Sequence, residues 1–253
     1  MTTERNDRGV DAAVPATPHE GSQPGMQLME VAKAELIAGD FTLLVGFLVD
    51  DSNSISTYGN APSIIGGYNG MLEDFAQAQG SIEFWGMRLN EGELAPFAPP
   101  SSAPRLNGAN YRPFYGTPLY DASIDFLQRM EQELGQRQRR GENVAAMSVI
   151  FTDGENTIEA LKGGAPAVKE KVTTMFGSKR HIVMGMGVQG AVDFYLIFRE
   201  MGIPERFIQV VQRSEAGLQR GFQTTSDTTV FSAESFEQFT QTSITGVRPP
   251  TQP

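Results

Sequence analysis

The chain has 253 residues, 40% of them hydrophobic, and carries 20 Lys and Arg against 30 Asp and Glu for a formal charge of -10. It has no Cys and two His, His19 and His181, which excludes disulfides, thiolate catalysis, Cys-ligated zinc and a His-rich metal centre. The negative charge argues against nucleic acid, and no window approaches the roughly 18 consecutive apolar residues of a membrane span. Any chemistry must therefore be built from carboxylates, hydroxyls and backbone.

Residues 1–25 are polar, bear prolines and lack periodicity, so a disordered tail is expected there. The charges and prolines of this stretch do not form the apolar core of a signal peptide, so the expected location is the cytoplasm. Thr42 to Val49, "TLLVGFLV", is a continuous apolar run, as expected of a strand covered on both faces. Ile64, Ile65, Tyr68, Met71, Leu72 and Phe75 then recur at helical spacing, and Ser81 to Leu89 reads as a second strand. From Asn90 to Tyr115 the chain is rich in Pro and Gly, with one short edge strand expected near Leu94 to Phe97.

A long helix follows, expected to be capped by Thr117 with Pro118 at its first position. Ala145 to Thr152 is another buried strand, and a helix is expected over Pro166 to Phe176. "HIVMGMGV" is the next strand, "AVDFYLIFREMG" the next helix, "RFIQVV" the last strand, and a final helix begins beyond Ser214. Alternation of buried strands with amphipathic helices predicts one α/β domain with a doubly wound, mostly parallel central sheet. The domain is expected to span residues 28–245, followed by a disordered tail at 246–253.

Ligands of open α/β sheets bind beyond the carboxyl ends of the strands. Segments from separate parts of the chain bring oxygen-bearing side chains to that edge. Asp50, Ser52 and Ser54 follow the first strand in a D-x-S-x-S spacing, Thr117 sits in "YGTPLYD", and Asp153 ends "SVIFTDGE" with Gly154 behind it. This combination closely resembles the von Willebrand factor A (vWA) fold and its metal-ion-dependent adhesion site, over roughly Leu28 to Thr245. The resemblance implies that Asp50, Ser52, Ser54, Thr117 and Asp153 jointly hold one divalent cation, Mg²⁺ or alternatively Mn²⁺. It implies a non-enzymatic module whose protein partner completes the metal shell with an Asp or Glu. By analogy with bacterial cytosolic relatives, that partner could be a MoxR-type AAA+ ATPase complex; this chain itself has no P-loop.

Simpler readings exist for several of these residues. Asp50 to Ser54 alone would suit an Asx or Ser turn. Asp51 is expected to be a solvated charge, Glu155 a surface carboxylate, and Asp121 a feature of the helix's first turn. "GMGVQG" (Gly185 to Gly190) matches a dinucleotide fingerprint, but it lies in the fifth strand-helix unit and Glu205 precedes the next strand, so close strand-helix packing is expected instead. Tyr111, Phe114 and Tyr115 are expected beside the metal, as packing residues or as an aromatic rim. Arg137 to Arg140 is expected to be a solvated helix end. Two competing functions are a Mg²⁺-dependent phosphotransferase using Asp50 as nucleophile, and a structural vWA scaffold with an empty site.

Overall fold

The computed structural model describes residues 41–241, with side chains as far as 234. The expected tails at 1–25 and 246–253, and the expected domain ends at 28 and 245, lie outside the described residues. The elements in chain order are β1 (Thr42–Val49), α1 (Asn53–Thr57), α2 (Ala61–Gln77), β2 (Ser81–Arg88), β3 (Gly92–Glu93), α3 (Leu119–Arg139) and β4 (Val144–Thr152), then α4 (Gly164–Gly177), β5 (His181–Val188), α5 (Phe194–Glu200), β6 (Ile208–Val211) and α6 (Glu215–Gln241). The sheet order is β3-β2-β1-β4-β5-β6, parallel throughout except for the antiparallel edge strand β3. This is the expected doubly wound α/β sheet.

β1 occupies the middle of the sheet, paired with β2 on one side and β4 on the other, and every residue from Leu43 to Val49 is buried. Its alternating side chains serve both faces. On one face Phe47 packs with Phe151 of β4, Tyr68 of α2 and Phe222 of α6. On the other, Trp85 of β2 stacks on Phe126 of α3, with ring centroids 5.4 Å apart. Gly46 opens that second face: a Cβ there would lie 3.0 Å from the Phe126 ring and closer still to Met130 Sδ. Gly46→Ala is therefore expected to destabilise the protein by about 1–3 kcal/mol through overpacking, read as a lower urea midpoint at unchanged slope.

The glycines of "GMGVQG" pack as expected. Gly185 and Gly187 of β5 face Phe198 and Phe194 of α5, and a Cβ on Gly185 would sit 2.6 Å from the Phe198 ring. His181, at the opposite end of β5 from the site described below, is buried and shares a 2.8 Å hydrogen bond with Ser148 Oγ. Burial drives its pKa down to about 3, so it stays neutral in the core.

Some expectations need correcting. The edge strand is Gly92–Glu93 instead of Leu94 to Phe97, with a single bridge between Phe84 and Ala98 beyond it. Pro96 and Pro99 break the ladder there by lacking N–H donors. Pro118 occupies the N-cap of α3, which starts at Leu119, and Thr117 makes no capping bond. Arg137 is not a solvated helix end: it is half-buried and bonded to Glu83, Glu133 and Glu142. Burial opposes the charge of Glu133, but its bonds to Arg137 and Arg129 hold its carboxyl below the usual range.

Candidate metal centre at the carboxyl edge of the sheet

β1 and β4 are adjacent and parallel, so their carboxyl ends emerge side by side. Asp50 joins them. Its Oδ1 accepts from the Ser52 amide at 2.7 Å, and its Oδ2 accepts from Thr152 Oγ1 at 2.6 Å and from the Asp153 amide at 3.3 Å. The Tyr111 hydroxyl donates to the Asp50 carbonyl from beneath. Burial raises the Asp50 pKa to about 6, bonds from Ser52 and Thr152 hold it down, and the charge of Asp153 adds to the rise. Burial, followed by the charges of Asp50, Asp51 and Asp153, holds Tyr111 well above the usual phenol range, so it remains a donor.

The hydroxyls form a directed relay. Ser54 Oγ donates to Asp153 Oδ1, which uses its single proton, so Ser52 Oγ is the donor in the 2.9 Å contact between the two serines. The other oxygen of Asp153, Oδ2, is buried without a hydrogen-bond partner. Burial raises the Asp153 carboxyl, while the Ser54 bond and the charge of Arg213 pull it back.

Thr117 reaches the same spot from a distant segment. Its amide donates to Thr157 Oγ1 at 2.8 Å and its carbonyl accepts from the Thr157 amide at 3.0 Å, which clamps the backbone. Its own hydroxyl makes no hydrogen bond among the described residues. Gly154 shows where that hydroxyl points, since a Cβ there would meet Thr117 Oγ1 at 3.6 Å and Ser54 Oγ at 3.7 Å. Asp50, Ser52, Ser54, Thr117 and Asp153 are thus gathered into one cradle.

Several supporting residues escaped the sequence reading. Asn156 Oδ1 accepts from the Tyr120 amide at 3.2 Å, taking the helix-end role expected of Thr117. Asp121 accepts from the amides of Leu161 and Lys162 at 2.9 and 3.0 Å, so the loop after β4 is stitched to the start of α3. Asp51 is not solvated. It is buried, and its Oδ1 accepts from both the amide and the side chain of Asn90 at 2.9 Å, while Asn90 Nδ2 also reaches the Gly116 carbonyl. Alternation along the chain turns Asp51 away from the cradle and into the crossing between β2 and the Tyr115 loop. Glu155 is exposed, as expected.

Around the cradle lies an apolar rim. Phe114 is 74% exposed, Tyr115 52% and Tyr58 55%, and the rings of Phe114 and Tyr115 meet edge to face. Tyr111 belongs to the floor instead, only 2% exposed.

The donor set fits a hard divalent cation. Mg²⁺ and Mn²⁺ favour oxygen ligands, and the cradle offers hydroxyls, a buried carboxylate oxygen with no protein donor, and only a pair of acids. Among the described residues no group of at least three Asp, Glu, His or Cys gathers into a conventional site, so this cradle depends on its hydroxyls.

No family model matches the chain, and no curated protein matches it in sequence. Solved structures do match it in fold. Proximal thread matrix protein 1 from the mussel byssus is similar with a TM-score of 0.52 at 16% identity, over 77% of this chain and 47% of that chain. A structure of the same mussel protein with a zinc-occupied MIDAS motif matches equally, at 0.52 and 16%, over 78% of this chain and 46% of that chain. The pilus adhesin SpaC from Lactobacillus rhamnosus GG matches at 0.56 and 12% identity, over 76% of this chain and 31% of that chain. The shared architecture is the vWA fold. The chain spans less than half the length of each of these proteins.

Proposed function

We propose that the protein is a divalent-cation-dependent protein-binding module. The observation that carries this reading is the relay Ser52 to Ser54 to Asp153 Oδ1, on a carboxyl whose other oxygen, Oδ2, is buried without a hydrogen bond, together with the unbonded Thr117 hydroxyl that faces Ser54 across Gly154. Asp50, Ser52, Ser54, Thr117 and Asp153 would hold the cation, which we take to be Mg²⁺, with Mn²⁺ as a substitute. When bound, it would supply an electrophilic point that a partner's Asp or Glu carboxylate completes. The zinc-occupied motif of the mussel protein supports a metal in a fold of this kind.

The protein's own residues set up that capture. Asp50 uses Oδ2 to lock the end of β1 to the end of β4 and Oδ1 to hold the Ser52 amide, which fixes the serine segment against Asp153. Thr157 fixes Thr117, and Gly154 keeps side-chain bulk out of the space between them. The apolar rim of Phe114 and Tyr115 suits the border of a protein interface.

Asp50 also bears on the phosphotransferase alternative. It is fully buried and held by Ser52 and Thr152, so a phosphate ester has no path for in-line attack by its carboxylate, whereas a cation can be held through the hydroxyls and bridging waters around it. By analogy with bacterial vWA relatives we take a MoxR-type AAA+ complex as the partner, and the charges and prolines of residues 1–25 support a cytoplasmic setting. Among the described residues no helix is long and apolar enough to cross a membrane.

Isothermal titration of Mg²⁺ and Mn²⁺ tests the reading. Wild type is expected to bind with one site per chain, and Asp50→Ala/Ser52→Ala to give no detectable heat while retaining its circular dichroism spectrum. Thr117→Val, which removes only the hydroxyl, is expected to weaken binding by roughly 10–100-fold. Equal binding by wild type and double variant, or none by either, would overturn the assignment.

A further inference from the structure

We propose that Arg213 is a second anchor for the partner's carboxylate, held beside the cation cradle by stacking on Tyr58. This inference rests on the function proposed above and names a residue that the five-residue motif does not contain.

Arg213 lies in the turn between β6 and α6, on the same edge of the sheet as the cradle. Its guanidinium carbon sits 3.7 Å from the centroid of the Tyr58 ring. Tyr58 is the C-cap of α1, the short helix that carries Ser54, so the stack ties the β6 turn to the cradle's own wall. Gly190, in the loop after β5, leaves the room: a Cβ there would come within 2.5 Å of Arg213 Nη2. The guanidinium is close enough to Asp153 to act on its carboxylate.

Yet Arg213 forms no ion pair or hydrogen bond with any described residue, and its Nε is buried without an acceptor. Arg88, Arg105, Arg129, Arg137 and Arg140, by contrast, all pair with glutamates. The guanidinium attracts Asp153, but with a cation in the cradle it would also be repelled by the metal while holding no hydrogen-bonded anion of its own. That repulsion is offset when an anion lies between them. A guanidinium fork already immobilised on an aromatic face matches a carboxylate and loses little freedom on binding it. The ligand class is thus an Asp or Glu side chain gripped from both sides, by the cation and by Arg213.

The opposing signs give the test. Full-length wild type, Arg213→Ala, Arg213→Lys and Tyr58→Leu are titrated with Mn²⁺ alone, and each loaded protein is then titrated with acetate, followed by paramagnetic broadening of its methyl resonance. Arg213→Ala is expected to bind Mn²⁺ as tightly as wild type or a few-fold tighter, yet to bind acetate roughly tenfold more weakly. Arg213→Lys, which keeps the charge but loses the fork, and Tyr58→Leu, which loses the platform, should fall between. Unchanged acetate affinity in Arg213→Ala overturns the proposal, and so does a parallel loss of both affinities, which would mark a merely structural residue. If wild type takes up no Mn²⁺, both readings fail, and they fail at the first titration, before acetate is added.

Discussion

In metal-free buffer the ionisation of buried Asp50 is expected to cost stability as the pH rises from 4 to 7, so that wild type falls relative to Asp50→Asn across that range. The folded-state pKa of Asp50 lies at about 6, above the 3.8 of an unperturbed aspartate. Between those values the native state holds a proton that the unfolded chain has released, so stability falls as pH rises through the window. The size for this one group is about 3 kcal/mol, equivalent to roughly 2–4 °C of melting temperature per kcal/mol for a chain of this size. Asp51 and Asp153 are raised by burial and slope the same way. His181, lowered to about 3 by burial, and Glu133 and Glu142, also lowered, slope the other way, so the difference between wild type and Asp50→Asn is the informative quantity. Melting curves in EDTA at several pH values measure it. A parallel pH dependence in the two proteins would show that Asp50 is not the buried charge responsible. With Mg²⁺ present the wild-type slope should flatten, because a bound cation favours the ionised carboxylate.

Phe222→Ala is expected to cost about 3–5 kcal/mol, the range for deleting a buried aromatic ring. Phe222 is 1% exposed, stacks 5.8 Å from Phe47 and lies 5.6 Å from Phe151, so its ring joins α6 to both central strands. It also lies directly over Gly67 of α2. Among the described side chains of α6, as far as Glu234, the rest of the inner face is largely polar. Thr229 and Ser232 turn their hydroxyls back to carbonyls of their own helix, and Ser226 bonds Asp74. Among the described residues Phe222 is therefore the largest apolar attachment of this helix, with Leu218 and Ala233 beside it. Urea unfolding reads the loss, and Phe222→Leu, which keeps most of the volume, should recover more than half of it. A loss below about 1 kcal/mol would mean that the helix is held chiefly by its hydroxyls.

The strands were legible because a parallel strand covered on both faces must be apolar along its whole length. Thr42–Val49 and His181–Val188 appear in the structure with the boundaries that their composition suggests. Four of the five cradle residues were legible for a related reason: Asp50, Ser52, Ser54 and Asp153 follow the ends of β1 and β4, which converge on one edge of the sheet, while Thr117, in the loop before α3, was legible only from its motif. Their approach to one another is observed, while their occupancy by a cation is our proposal. What escaped the sequence depended on pairs about forty residues apart. Asn156 with Tyr120, Thr157 with Thr117 and Asp121 with Leu161 are ordinary polar residues until the loop after β4 folds back over the start of α3. Asp51 was misjudged for the same reason, since its partner Asn90 lies at the end of another strand. Arg213 carried no signal at all, because its platform, Tyr58, belongs to the far end of the domain's sequence.

The position of the cradle on β1 and β4 has a mechanical consequence. A ligand held there pulls on the chain along the direction of those strands, at the ends of two parallel neighbours deep inside the sheet. Inter-strand hydrogen bonds run across that direction, so such a load shears many of them together instead of peeling them apart one after another. β1 is flanked on both sides, so tension entering at Asp50 spreads into β2 as well as β4. A ligand held as proposed would therefore load three paired parallel strands together instead of a single edge strand.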